Sequence, residues 1–261
     1  MRRTATEKKN ELKRLYNLKN GLAKRPTKGT DFPKWVANFH TVFDYNAMAK
    51  QFGYELSQLL DISVCPYCNQ EDITTIHETD AEYRPAFDHF YPKSKFPFLA
   101  TTLSNLIPAG ERCNERYKAQ SAMLSHENPY NKSISYEEPL FDFTTSAPSF
   151  YDKELQIKDV LVVVTDFNPD LTNNLELFKI EAVYNNKKFK NEFFKIRKCY
   201  NFLREQGNSG IDLNDLNSHN VDEIDHHFHV NLRVSPKTES MQKFKVDSLN
   251  KIAKSNFKMI K

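Results

Sequence analysis

No run of about eighteen apolar residues occurs in this chain, so it offers no candidate membrane span. Its first residues are charged where a secretion signal needs an apolar stretch, which argues against export by that route. Cysteine is scarce. There are four, two of them in one Cys-x-x-Cys, which excludes a disulfide scaffold and suits a reducing compartment. A cytoplasmic protein is expected. Only 6 glycines are present, and there is no ATP-binding signature, helix-turn-helix, tandem zinc-finger pattern, internal repeat or low-complexity tract.

What is present is apolar mass and an uneven charge. The 261 residues suffice for one large or two small domains, and 20 Phe with 12 Tyr supply a substantial core. Residues 1–30 hold ten Lys or Arg against Glu7 and Glu11, a local +8, so the remainder carries about −5 of the overall +3. Such an arm can bind phosphates or simply lie solvated. Helical spacing follows in Phe32, Trp35, Val36, Phe39, Val42 and Phe43, and again in Met48, Phe52, Leu56, Leu59 and Leu60. Both runs are expected to pack as a helical layer.

The chemistry is concentrated between residues 62 and 131. Cys65-Pro66-Tyr67-Cys68 opens an expected hairpin (72–77 and 83–89), which closes on Asp88-His89. Asn105-Leu106 and Cys113-Asn114 follow, the latter at the start of a helix expected over about 111–124. His89 suits a general base, because an imidazole titrates near working pH. Asp88, its neighbour on an extended strand, projects to the other side and is free to face a metal. Asn114 offers an amide oxygen as a second, neutral ligand. Hard oxygen donors with open positions suit Mg2+ or Mn2+. Asn105 reads as a pin that holds the loop. Lys118, Arg112 and Arg116 on the helix, with Lys93 and Lys95 beside Ser94, are candidate phosphate contacts, helped by the helix N-terminus.

The series Asp88-His89-Phe90-Tyr91-Pro92-Lys93-Ser94, Asn105-Leu106-Ile107-Pro108 and Cys113-Asn114, with Asn128-Pro129-Tyr130 beyond, resembles the HNH, or ββα-metal, nuclease family. Within that family it is similar to the HNH proteins of Septu-type and retron-associated antiphage systems. The resemblance spans about a quarter of the chain. It implies an α+β fold with three regions: a basic and helical N-terminal region (1–61), a ββα-metal core (62–131) and a mixed C-terminal region with accessory or docking helices (132–261). It implies a metal-dependent endonuclease acting on DNA, tRNA or other RNA as the toxic effector of antiviral defence. It further implies an ABC/SMC-like partner ATPase, and in retron systems a reverse transcriptase with its branched RNA–DNA (msDNA). A stand-alone restriction or homing-type nuclease and a catalytically inactive nucleic-acid-binding scaffold are the alternatives.

In one position the chain departs from the family. Relatives with a zinc knuckle carry two Cys-x-x-Cys pairs, whereas Gly110 here stands where the third thiolate belongs, leaving Cys65, Cys68 and Cys113. His77 would point away along its strand, and His126 would lie far down an unbroken helix. Cys199, a partner chain or water could complete a zinc site, or the three are ordinary buried thiols. Further on, residues 160–164 read as a strand and 175–184 as another. Residues 187–206 read as a basic amphipathic helix exposing Lys188, Lys190, Lys195, Arg197 and Lys198, and 243–261 as a basic docking helix. His226, His227 and His229 lack the spacing of a metal site.

Overall fold

The computed structural model describes residues 38–76, 78, 81–131, 139–165, 168–207 and 210–259. The basic arm, Phe32, Trp35, Val36 and His77 lie outside them. The described chain is α+β, with seven α-helices and two small antiparallel sheets. It divides into two compact units: Met1–Ser133 with Asn168–Phe178, and Ile134–Phe167 with Lys179–Lys261. Among the described residues no helix is long and apolar enough to cross a membrane.

The first unit begins with a short helix α1 (Phe39–Val42) and a longer α2 (Tyr45–Leu60), whose N-terminus is capped by the Asp44 carboxylate accepting from the Asn46 and Ala47 amides. The apolar spacing suggests packing through Phe52 and Leu59. The helix instead buries the small residues Ala49, Gly53 and Ser57 and leaves Phe52 and Leu59 exposed. Small residues permit close approach: the Arg84 guanidinium lies where a Cβ on Gly53 would project. Among the described residues the expected hairpin (72–77 with 83–89) forms a single bridge, Ile76–Tyr83, and a separate bridge, Val64–Asp72, closes the loop that carries the knuckle. The sheet proper pairs β1 (Ala86–His89) with β2 (Leu106–Ala109), setting Asp88 opposite Ile107 and His89 opposite Leu106.

The motif helix is shorter than expected and of a different kind. It is a seven-residue π-helix over Arg112–Lys118, closed by the Ala119 amide bonding to the Asn114 carbonyl at 2.9 Å. Ala119 and then Met123 adopt positive φ, which prevents the helix from continuing to Leu124. Residues 168–178, expected in the C-terminal region, belong to the first unit as helix α3 (Pro169–Leu177). Asn168 caps it and Pro169 starts it. Asn174 hydrogen-bonds both the amide and the carbonyl of Glu127, and Phe178 stacks on Tyr67 at 4.3 Å.

The second unit pairs β3 (Phe141–Thr145) with β4 (Val160–Val164), the strand expected from its valines. The strand expected over 175–184 is instead the end of α3 followed by helix α4 (Ile180–Tyr184), which starts after Lys179 at positive φ. Helix α5 (Lys187–Gln206) occupies the expected span and buries Phe189, Phe193, Ile196, Tyr200 and Leu203. Two of its expected surface cations are buried instead. Lys190 Nζ donates to the Val160 carbonyl at 2.7 Å, and Arg197 donates to the Phe150 and Asp152 carbonyls. After α6 (Val221–Phe228), the expected docking helix is the core helix α7 (Gln242–Ala253). There Phe244 is fully buried, Lys243 pairs with Asp247 at 3.0 Å, and Asp247 Oδ2 accepts from the Leu140 and Phe141 amides. An inward-facing acid that binds two strand amides makes this helix part of the interior.

Candidate active site and metal centre

Asp88 and His89 end β1 and, as strand neighbours, meet different surroundings. The His89 ring is buried. Its Nε2 lies 2.9 Å from the Ala100 carbonyl, and the Tyr45 ring stands edge-on to it at 4.5 Å between centroids. A carbonyl oxygen only accepts, so Nε2 carries the proton in that contact and the lone pair rests on Nδ1. Burial pushes the His89 pKa down to about 4, against the opposing Ala100 contact, with Lys93 and Lys118 adding to the fall. The imidazole is therefore neutral at pH 7, the state a general base requires.

Asp88 is 3% exposed and held from two sides. The Tyr67 hydroxyl donates to Oδ2 at 2.6 Å, and Lys118 Nζ pairs with Oδ1 at 2.9 Å. The same ammonium donates to the His89 carbonyl at 2.7 Å. Burial raises the Asp88 pKa, while Lys118 and Tyr67 oppose it. Lys118 is thus not a free phosphate contact: it is buried and its charge is spent on Asp88. The two hydrogen bonds leave lone-pair sites on the carboxylate, since an ionised carboxylate accepts at about four positions. Asn114 is half-buried, with its amide bonded to the Gly110 carbonyl at 2.9 Å. An Asp carboxylate with an Asn amide oxygen is a donor set suited to Mg2+ or Mn2+.

Asn105 ties the loop between the strands. Its Oδ1 accepts from the Tyr91 amide at 2.7 Å, and its Nδ2 donates to the Tyr91 and Leu99 carbonyls at 3.1 and 3.0 Å. The Asn128-Pro129-Tyr130 segment braces the same place. Asn128 donates to the Ser104 carbonyl at 2.9 Å, and the Tyr130 hydroxyl donates to the Leu106 carbonyl at 2.6 Å.

The remaining cations divide. Lys93 Nζ lies 4.5 Å from the centre of the Tyr45 ring, on the ring that meets His89. Lys95 is buried and donates to the Gln120 carbonyl at 2.8 Å, fixing the turn after the π-helix; Ser94 bonds the Gln120 side chain. Arg112 and Arg116 line a cleft of about 800 Å³ with Glu71, Glu111, Glu115 and Tyr117, a lining that includes neither Asp88 nor His89. Three carboxylates make that cleft a poor match for a phosphate.

Cys65, Cys68 and Cys113 converge. All three are buried, and their sulfurs lie within 4.8 Å of one another, an arrangement that could hold a metal ion. The knuckle turn is made by the Cys68 and Asn69 amides bonding back to the Cys65 carbonyl and by the Cys65 amide bonding the Glu71 carbonyl. Cys113 and Cys65 hydrogen-bond to Cys68 and hold its pKa well below the usual value. Burial raises Cys65, and its two sulfur neighbours raise Cys113. Cys199 and His126 are not in this group, nor are His226, His227 and His229. A Cβ built on Gly110 would lie 2.2 Å from Glu71 Cδ and 2.3 Å from its Oε2, so the space of a residue-110 side chain holds a carboxylate. The Glu71 carboxylate is met by the Glu111 and Arg112 amides at the helix N-terminus, the place expected to receive a phosphate.

Tyr67, Tyr45, the Ala100 carbonyl and Glu71 were not among the residues picked from the sequence. Tyr67 had a signal, lying between the two knuckle cysteines. Comparison of the chain with protein-family models, with curated proteins and with solved structures finds no match in any of the three.

Proposed function

We propose that the chain is a metal-dependent HNH-type endonuclease that hydrolyses phosphodiester bonds in DNA or RNA. The observation that carries the proposal is His89: neutral, fixed by the Ala100 carbonyl, with Nδ1 left to take a proton, and placed one residue from a carboxylate on the opposite side of β1. Nδ1 of His89 takes the proton of the attacking water. Tyr67 and Lys118 fix the Asp88 side chain, and Asn105 fixes the loop that carries the Ala100 carbonyl and so the tautomer of His89. Lys93, beside His89, is the cation placed to meet a substrate phosphate. Mg2+ or Mn2+, held by Asp88 and Asn114, would neutralise charge on the phosphoryl group and the leaving oxygen. Service as an antiviral effector with an ABC/SMC-like ATPase, and with a reverse transcriptase and msDNA, rests on the sequence resemblance.

The Lys118–Asp88 ion pair favours a second reading, a nucleic-acid-binding subunit without catalysis, because an ammonium already neutralises the carboxylate. Incubating plasmid DNA and total RNA with the protein and Mg2+ or Mn2+, alone and with a partner ATPase, tests the two. Cleavage by wild type that His89→Ala abolishes supports the nuclease; nucleic-acid binding without cleavage under every condition supports the scaffold.

A further inference from the structure

We propose that Glu71 supplies the fourth ligand of a zinc site built on Cys65, Cys68 and Cys113, standing in for a side chain at position 110. The inference is independent of whether the protein cuts nucleic acid.

Zinc–sulfur bonds of about 2.3 Å limit thiolates on one ion to about 4.6 Å apart, and the three sulfurs here already lie within 4.8 Å of one another. Three thiolates leave one corner of a tetrahedron open. In a Cys-x-x-Cys pair ending at Cys113, that corner would be filled from position 110. Here the volume next to the Gly110 Cα is taken by the Glu71 carboxylate, with both oxygens and Cδ within 2.6 Å of a built Cβ. A cysteine at 110 and a glutamate at 71 therefore exclude one another, and the chain has the glutamate.

Two further observations point the carboxylate at this role. The Glu71 carboxylate lies close enough to Cys68 to feel its charge, and although the Glu111 and Arg112 amides and the Arg112 charge act on it, its buried Oε2 has no hydrogen bond of its own, which leaves that oxygen open to a cation. The Glu71 backbone is also part of the knuckle, since its carbonyl accepts from the Cys65 amide at 2.9 Å. As it stands the carboxylate is outside the 4.8 Å group of donors, so ligation turns the Glu71 side chain while the knuckle backbone stays. Three thiolates and a carboxylate on Zn2+ leave a net −2, and Arg112, whose buried Nε and Nη2 lack partners, borders the same cleft to offset it.

The test uses the full chain. Elemental analysis should find about one zinc per chain, and the Co2+-substituted protein should show charge-transfer intensity for three thiolates with d–d bands of a mixed sulfur–oxygen site. Glu71→Gln should weaken zinc binding by at least about tenfold, the scale on which metal sites respond to loss of a supporting group. Gly110→Cys combined with Glu71→Ala should restore affinity and shift the d–d bands to those of four thiolates. Wild-type protein that takes up no stoichiometric zinc or Co2+ overturns the proposal. So does a Glu71→Gln variant whose zinc affinity and Co2+ spectrum match wild type. If Glu71→Gln fails to fold, the wild-type Co2+ spectrum decides, a four-sulfur or sulfur–nitrogen pattern being the overturning result.

Discussion

Lys118 Nζ lies 2.9 Å from Asp88 Oδ1, an ion pair in which both side chains are nearly sealed from water. Its geometry depends on the π-helix that ends at Lys118. Removing one member of such a pair leaves a buried charge alone, which costs about 3–5 kcal/mol, more than the pair itself contributes. Lys118→Met is therefore expected to destabilise the first unit by about that amount, and Asp88→Asn with Lys118→Met to recover much of it. Urea unfolding of the three proteins checks this; a Lys118→Met midpoint equal to wild type would contradict the buried pairing.

His89 gives the protein an acid limit. Its folded pKa, about 4, lies below the ordinary 6.5, so its contribution to stability is complete above pH 6.5 and is lost as pH falls from 6.5 toward 4. A shift of that size corresponds to roughly 3 kcal/mol. Wild type should lose that much more stability than His89→Gln between pH 7 and 4. By the same sign, any hydrolysis should keep its base active down to about pH 4; an acid limb near 6.5 would show an unperturbed imidazole.

The two asparagines should separate by phenotype. Asn105→Ala removes its hydrogen bonds with the Tyr91 amide and with the Tyr91 and Leu99 carbonyls and should cost about 1–3 kcal/mol in thermal or chemical unfolding. Asn114→Ala should fold with near-normal stability and need more Mg2+ or Mn2+ for turnover. Overlapping metal titrations for Asn114→Ala and wild type would remove Asn114 from the metal site.

Tyr67→Phe deletes one hydroxyl and leaves Asp88 Oδ2 unsatisfied while keeping the ring stacked on Phe178. We expect a loss of about 1–3 kcal/mol and a slower reaction from a less firmly held carboxylate. A fully active, fully stable Tyr67→Phe would show that Lys118 alone orients Asp88.

How much of this was visible in the sequence depended on the range of the interaction. Residues 83–89 read as a strand ending in Asp88-His89, and residues 187–206 as a helix, because the apolar period is local. Convergence of Cys65 and Cys68 with Cys113 was what the resemblance to the ββα-metal family implied. The π-helix was not, because it depends on the positive φ at Ala119, where no glycine marks the turn. Lys190, Arg197 and Lys243 looked like surface cations, since nothing local reveals the distant carbonyls or the inward-facing Asp247 that bury them. Residues 175–184 were read as strand from their apolar run. The Asn168-Pro169 start signal and the break at Lys179 outweighed it.

The return of residues 168–178 to the first unit has a consequence for the order of synthesis. When the ribosome has made Asn131, Tyr67 still lacks Phe178 and Glu127 still lacks Asn174. The strand Phe141–Thr145, made in between, waits longer still, because Asp247 binds the amides at its start across more than a hundred residues of chain. Neither unit is complete when its first stretch of sequence emerges, so the Asp88–His89 pair reaches its finished surroundings only after part of the other unit has been translated.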